Sequence, residues 1–265
     1  MDARAAASTP LVTFGPEIWV HPAWIRFLGF RLQTRMTVVR LSQAADRGAL
    51  WLHSPIGDVD ALRPSLDALG EVRHLVAPNA LHHLGLEGFS RAFSDATIWA
   101  TKNVELRSGM RAHERLTPRQ ATPAAWGPDL ELCVLGGNLL FDEALVLHRP
   151  SRTLIVTDFV EKIDESCTGS SWTPRLLTLF GMTKGQPAPA PEHRIFAVDP
   201  EPLRQAKERV LAWDFDRMII AHGPTVEHHA KDELASCFDR AIRAATGRGR
   251  ASVAVRKLWL QLVPR

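Results

Sequence analysis

Long apolar runs are missing from this 265-residue chain. No stretch of about 18 or more apolar residues occurs, so no membrane span is expected. The first ten residues are Ala-rich and lack a basic start followed by an apolar block, which argues against a secretory signal. Cysteine is scarce: Cys133, Cys167 and Cys237 are odd in number and widely spaced. That excludes a disulfide frame and predicts reduced, buried thiols in a cytoplasmic protein. Tyrosine is absent beside eight tryptophans, an aromatic complement expected to pack the core and its rim. No Gly-x-Ser-x-Gly elbow is present, and Gly136-Gly137 lacks the Lys-Ser/Thr of a phosphate loop. Covalent serine chemistry and nucleotide cradling therefore both lack support.

The net charge of +3 is a property of the tail. Thr246–Arg265 holds five basic residues and no acidic ones, so the remainder carries −2. A nucleic-acid binder would show a basic stripe across its folded body, and none is seen. What is present is the composition of a soluble globular protein, 45% hydrophobic and 23% charged. At this length it can be one large domain or two.

The central stretch is Arg73 to Gly85. Leu75-Val76-Ala77 is a short buried strand stopped by Pro78, Asn79 can cap the turn that follows, and His82 and His83 sit in that turn. Around it, Met36–Leu41 and Ala49–His53 form a strand, Gly turn and strand. Asp58 caps a helix from about Val59 to Leu69 that Gly70 ends. The segment from His21 to Gln33 is aromatic-rich and is expected to line a pocket rim or cover the core. Residues 102–127 are expected to form a connecting loop. Farther on, Glu143–His148 and Thr153–Asp158 form a hairpin, Arg217–Ala221 a buried strand, and about Val226–Ala245 a closing helix. Residues 160–196, polar and proline-rich, have the composition of a lid-like insertion. Two blocks of strands, each followed by helices, predict a single α/β domain. It has two mixed sheets face to face with helices outside, a four-layer αβ/βα sandwich.

One grammar recurs: a buried strand ends and a metal-ligand type sits at its tip. His82 and His83, Asp158, and His222 all follow it. Three imidazoles and a carboxylate suit one transition metal per chain, zinc first, with iron or manganese also compatible. His148 and His53, at strand ends, are expected as hydrogen-bonding neighbours of the ligands or as ligands themselves.

These residues resemble the metallo-β-lactamase-like hydrolase superfamily over Trp19 to about Ala245, in a branch with a degenerate metal motif. Pro78–Gly85 falls on the superfamily's His-x-His-x-Asp-His run, Thr157-Asp158 on its Gly-Asp, and Ala221-His222 on its last Gly-His. The resemblance implies that Pro78 and Ala80 replace two ligands of a first metal, and that the third, expected near Gly137-Asn138, is missing. It also implies that His82, His83, Asp158 and His222 retain the second metal position. His82 stands where the superfamily has an aspartate, so it either ligates the metal or acts with Asp158 in catalysis as a base. The expected activity is metal-dependent hydrolysis of a small ester, lactone or similar molecule. The alternatives are a non-haem iron oxidoreductase, and a non-catalytic member that binds a ligand or partner through the same face. The apolar runs Ser252–Val255 and Leu258–Val263 are expected to dock residues 247–265 on their own domain or on a second subunit, the latter giving a homo-oligomer.

Overall fold

The computed structural model describes residues 10–27, 29–42, 48–104, 106, 110, 112–140, 142–170 and 185–246. Strands β1 (Val12–Gly15), β2 (Ile18–Phe27), β3 (Phe30–Arg40), β4 (Ala49–His53), β5 (Glu71–Ala77), β6 (Thr97–Thr101) and β7 (Glu114–Leu116) form one sheet in sequence order. Its first four strands are antiparallel, whereas β4 to β7 run parallel. The second sheet has the order β11-β10-β9-β8, built from β8 (Leu130–Leu135), β9 (Glu143–His148), β10 (Thr153–Ile155) and β11 (Arg217–Ile219). In it β8, β9 and β10 are antiparallel, and β10 and β11 are parallel.

Alternation along the strands builds the layers, because successive side chains face opposite sides of a sheet. Val39, Trp51, Val76 and Trp99 meet Leu132, Val134, Val146 and Ile155 between the sheets. Their neighbours Val38, Leu52, Leu75 and Ile98 face outward onto helices α1 (Val59–Leu69) and α2 (Leu86–Ala92). On the far side, Leu145, Leu147, Leu154 and Met218 pack against α5 (Glu201–Leu211) and α6 (Ala230–Thr246). Two short helices, α3 (Glu165–Thr168) and α4 (Pro191–Ile195), precede these. The result is the expected four-layer sandwich of two mixed sheets with helices outside. No described helix is long and apolar enough to cross a membrane.

His21–Gln33 belongs to the long β2–β3 hairpin, whose register continues unbroken from Ile18↔Val39 to Phe27↔Phe30, and its Ile25, Arg26 and Leu32 line a cavity, as expected. Two other segments carry more structure than expected. The 102–127 connection contains β7 and a 3₁₀ turn at Ala124–Trp126. The run after Gly185, polar and proline-rich by composition, is nonetheless buried at Ala188, Ala190, Pro191, Glu192 and His193. Its alanines are small enough to lie against the end of β10. There Glu161 and Ala188 exchange backbone hydrogen bonds, and Ala190 N–H donates to Asp158 O at 2.9 Å. Residues 171–184 of the expected lid and the tail 247–265 lie outside the described residues. All three cysteines are free and buried, as expected. Burial pushes the thiols of Cys133 and Cys167 up to about 11 and that of Cys237 to about 12.

Sheet register also relocates His148. It pairs with Thr153, at the start of β10, so it lies at the opposite end of the sheet from Asp158. It is fully buried there, with Nδ1 at 2.7 Å from Ser151 Oγ. Burial lowers its pKa to about 4, against the raising influence of Asp129 and Glu17. Folded His148 stays neutral down to that pH, whereas the unfolded chain takes up the proton near 6.5. The folded state therefore loses stability as pH falls through this window, by at most about 1.4 kcal/mol per pH unit. We predict that the stability advantage of the wild type over His148→Asn shrinks between pH 6.5 and 4 in urea titrations. A constant difference would mean that His148 is protonated in the folded protein.

Candidate metal centre

Parallel strands deliver their ends to a common edge. Beyond the carboxyl ends of β4 and β5 come Ser54 and His82, and beyond those of β10 and β11 come Asp158 and His222. Such strand ends are where α/β folds gather their chemistry. Ala144 N–H donates to Pro78 O at 2.9 Å, joining the two sheets at this edge.

His82, Asp158 and His222 are buried, and one ligand atom from each lies within 4.8 Å of the others. His82 Nε2 is 3.1 Å from Asp158 Oδ1 and His222 Nε2 is 3.4 Å from the same oxygen. The outer nitrogens are committed elsewhere. His222 Nδ1 is 2.8 Å from the Gln33 carbonyl, which can only accept, so that nitrogen carries the hydrogen. In the neutral ring Nε2 is then a lone pair turned toward a carboxylate, an arrangement that a proton or a cation must bridge. His82 Nδ1 is 2.8 Å from Ser54 Oγ, which fixes that ring as well. Burial raises the Asp158 carboxyl, but the two imidazoles outweigh it and hold it well below the usual carboxylate range. Burial likewise lowers His82, and Asp158 more than offsets it, leaving the imidazole above its ordinary value.

Behind Asp158 stands a network. Asn79 Nδ2 donates to Asp158 Oδ2 at 2.8 Å and to Thr157 Oγ1 at 3.0 Å, while its Oδ1 accepts from the N–H groups of Leu81 and His82. One side chain thus sets both the turn that presents His82 and the carboxylate that His82 faces. Glu143, fully buried, accepts from the N–H groups of Thr157, Asp158 and Phe159 and pairs with His193 Nε2 at 2.8 Å. Gly223 follows His222 at φ +112°, and a Cβ there would come within 2.3 Å of the Lys162 carbonyl. Only glycine fits this corner.

The cluster opens onto a cavity of about 240 Å³, lined by apolar residues including Ile25, Leu32, Ile56 and Leu81, and by two buried carboxylates, Glu161 and Glu192. Burial and the Asp158 charge push Glu192 up to about 7 and raise Glu161 well above the carboxylate range.

Of the residues singled out from the sequence, the structure brings together His82, Asp158 and His222. His83 lines the same cavity but falls outside the three-ligand cluster. The Asn79 turn aims one histidine inward, and the next is carried toward α2, where its carbonyl accepts from Leu86 N–H at 3.0 Å. His53 is buried near His82 yet also outside the cluster. Burial and the His82 charge lower it to about 3, so it stays neutral. His148 is remote, as described above. Sequence reasoning missed Ser54, Glu143, Glu161, Glu192 and His193. Ser54 obeys the strand-tip grammar, ending β4. Glu143 begins a strand, and because β9 runs antiparallel to β10 its first residue lies level with Asp158.

The donor set fits a metal. Two imidazoles and a carboxylate with room for further ligands are the protein share of a catalytic zinc or non-haem iron site. Among the described residues this is the only group of three or more potential ligands. At the positions of the resemblance's missing ligands stand Pro78, Ala80 and Asn138, and Asn138 Nδ2 is bonded to Glu192 O at 3.1 Å.

Comparison with solved structures defines the class: the chain has a metallo-β-lactamase-like fold. DIM-1 metallo-β-lactamase exposed to ceftazidime aligns with TM-score 0.59 and 17% identity, over 87% of this chain and 96% of that one. The mono-zinc form of FIM-1 from Pseudomonas aeruginosa aligns with TM-score 0.58 and 12% identity, over 89% and 98%. The metal-soaked Flv1 flavodiiron core from Synechocystis sp. PCC6803 aligns with TM-score 0.56 and 10% identity, over 88% of this chain and 60% of that one. The chain itself belongs to the family described as Domain of unknown function (DUF4336), which matches residues 16–169, more than half its length. No functionally curated protein matches it in sequence.

Replacing Asn79 by alanine would strip Asp158 Oδ2 of a donor and two turn N–H groups of an acceptor, all in the interior. We predict a loss of about 1–3 kcal/mol in urea denaturation, with release of bound metal. Unchanged stability would show that the network does not hold the turn.

Proposed function

We propose that the protein is a metal-dependent hydrolase of a small, largely apolar ester, lactone or similar substrate, holding one transition metal between His82, His222 and Asp158. The observation that supports this most is the meeting of two Nε2 nitrogens and one carboxylate oxygen within 4.8 Å beside a cavity. When bound, zinc or a similar ion polarises a carbonyl oxygen and lowers the pKa of a coordinated water to about 7. The chain's own residues do the rest. Gln33 O and Ser54 Oγ keep the two rings oriented toward the ion, as hydrogen-bonding neighbours of ligands generally do. Asn79 and Glu143 hold the Asp158 turn. The apolar wall shuts water away from the bound substrate, which strengthens every charge interaction inside. Both His82 nitrogens are engaged, so that residue holds the ion and is not a free base.

The same two-histidine, one-carboxylate set also suits ferrous iron, and an oxidoreductase on this fold is the second reading. The metal that supports turnover separates the two.

Elemental analysis after supplementation with zinc, iron and manganese should find one ion per chain. His222→Ala and Asp158→Ala should each weaken metal binding at least tenfold, and chelator should abolish hydrolysis of nitrophenyl esters or lactones. His83→Ala should leave the stoichiometry at one. Absence of metal would sink the enzyme readings, and two ions per chain would sink the one-site reading.

A further inference from the structure

Glu161 and Glu192 have no task in the scheme above. They are 6% and 4% exposed, and both line the cavity. Among the described residues no other side chain donates a hydrogen bond to either carboxylate, and the Glu192 carboxylate accepts from its own backbone N–H. Their backbones, by contrast, are pinned: Glu161 by the paired bonds to Ala188, and Glu192 O by Asn138 Nδ2. Two buried carboxylates with so few donors are expensive to keep, and here both line the cavity. Arg194 is the cation that acts on both, yet it is not part of the cavity lining. The basic side chain on the lining besides the histidines is Arg26, which is exposed.

We propose that this cavity recognises substrates carrying an ammonium group on an apolar arm and turns away anionic ones. The ammonium would donate to Glu161 and Glu192, and the arm would lie against Ile25, Leu32 and Ile56. An ammonium seated between Glu161 and Glu192 favours their ionised forms, whereas an anionic group brought there is repelled by them. This inference names the substrate class for the function proposed above. It rests on that reading for the bond cleaved, and not for the selectivity.

The test is calorimetric, on the full chain as purified, at pH 8, on the alkaline side of the value of about 7 for Glu192. Three probes of similar size are used: n-pentylammonium, 1-pentanol and pentanoate. The expected order is pentylammonium at least about tenfold tighter than pentanol, with pentanoate weakest. The double variant Glu161→Gln, Glu192→Gln should bring the ammonium-to-alcohol ratio close to one while pentanol affinity persists, which shows that the cavity is intact. If the double variant does not fold, Glu192→Gln alone should lower the ratio. Equal binding of ammonium and alcohol by the wild type, failure of the ammonium to bind, preference for pentanoate, or an unchanged ratio in the variants would overturn the proposal. A fall in bound metal from two ions to one in the double variant would also overturn it, by making the carboxylates metal ligands. Metal content measured on the same samples keeps the two readings apart: metal without ammonium preference fails this inference alone, and ammonium preference without metal fails the metal reading alone.

Discussion

A single buried carboxylate, Asp158, sets the terms for the structure around it. It faces two imidazoles with one oxygen and an asparagine amide with the other. Taking such a charge out of water is costly unless partners surround it. That requirement accounts for features drawn from both sheets: the Asn79 turn after β5, the Glu143 carboxylate opposite the end of β10, and the glycine that lets His222 turn inward. The two sheets are bonded together at this edge by the backbone, through Ala144 N–H and Pro78 O. The centre therefore depends on a cross-sheet junction, and a change in either sheet is felt there.

Carboxylates recur around it. Glu143 receives four hydrogen bonds from the backbone and from His193, so its charge is dispersed and its role is to hold the turn. Among the described residues Glu192 accepts only from its own backbone N–H, and both Glu161 and Glu192 are pushed toward their neutral forms by burial and by Asp158. The same residue type thus serves two ends, set by what each side chain meets. The cysteines and His148 show the opposite case, ionisable groups kept neutral by apolar surroundings and used for packing.

How much of this is legible in the sequence follows from periodicity. Alternation in Val38-Val39 and Trp51-Leu52 marks strands with two buried faces, and two such blocks flanked by helical segments lead to the layered architecture. Ligand types at strand tips point to His82, Asp158 and His222, because parallel strands carry their ends to one edge. The same rule misplaces His148, which ends a strand running the other way, and overlooks Glu143, which begins that strand. His83 illustrates a finer limit. Adjacent residues in a turn are aimed by the turn's own hydrogen bonds, and the Asn79 side chain selects one of the pair. Glu192 and His193 come from a segment without apolar period, and its burial follows from pairing with Glu161 that no local pattern announces.

The central claim is that His82, His222 and Asp158 hold a metal together. Anomalous diffraction at the absorption edge of the incorporated metal tests it most directly, using crystals of the full chain grown with that metal. The account predicts one peak per chain, within bonding distance of both Nε2 atoms and an Asp158 oxygen. A peak elsewhere, or none at this cluster while the protein remains folded, would contradict it.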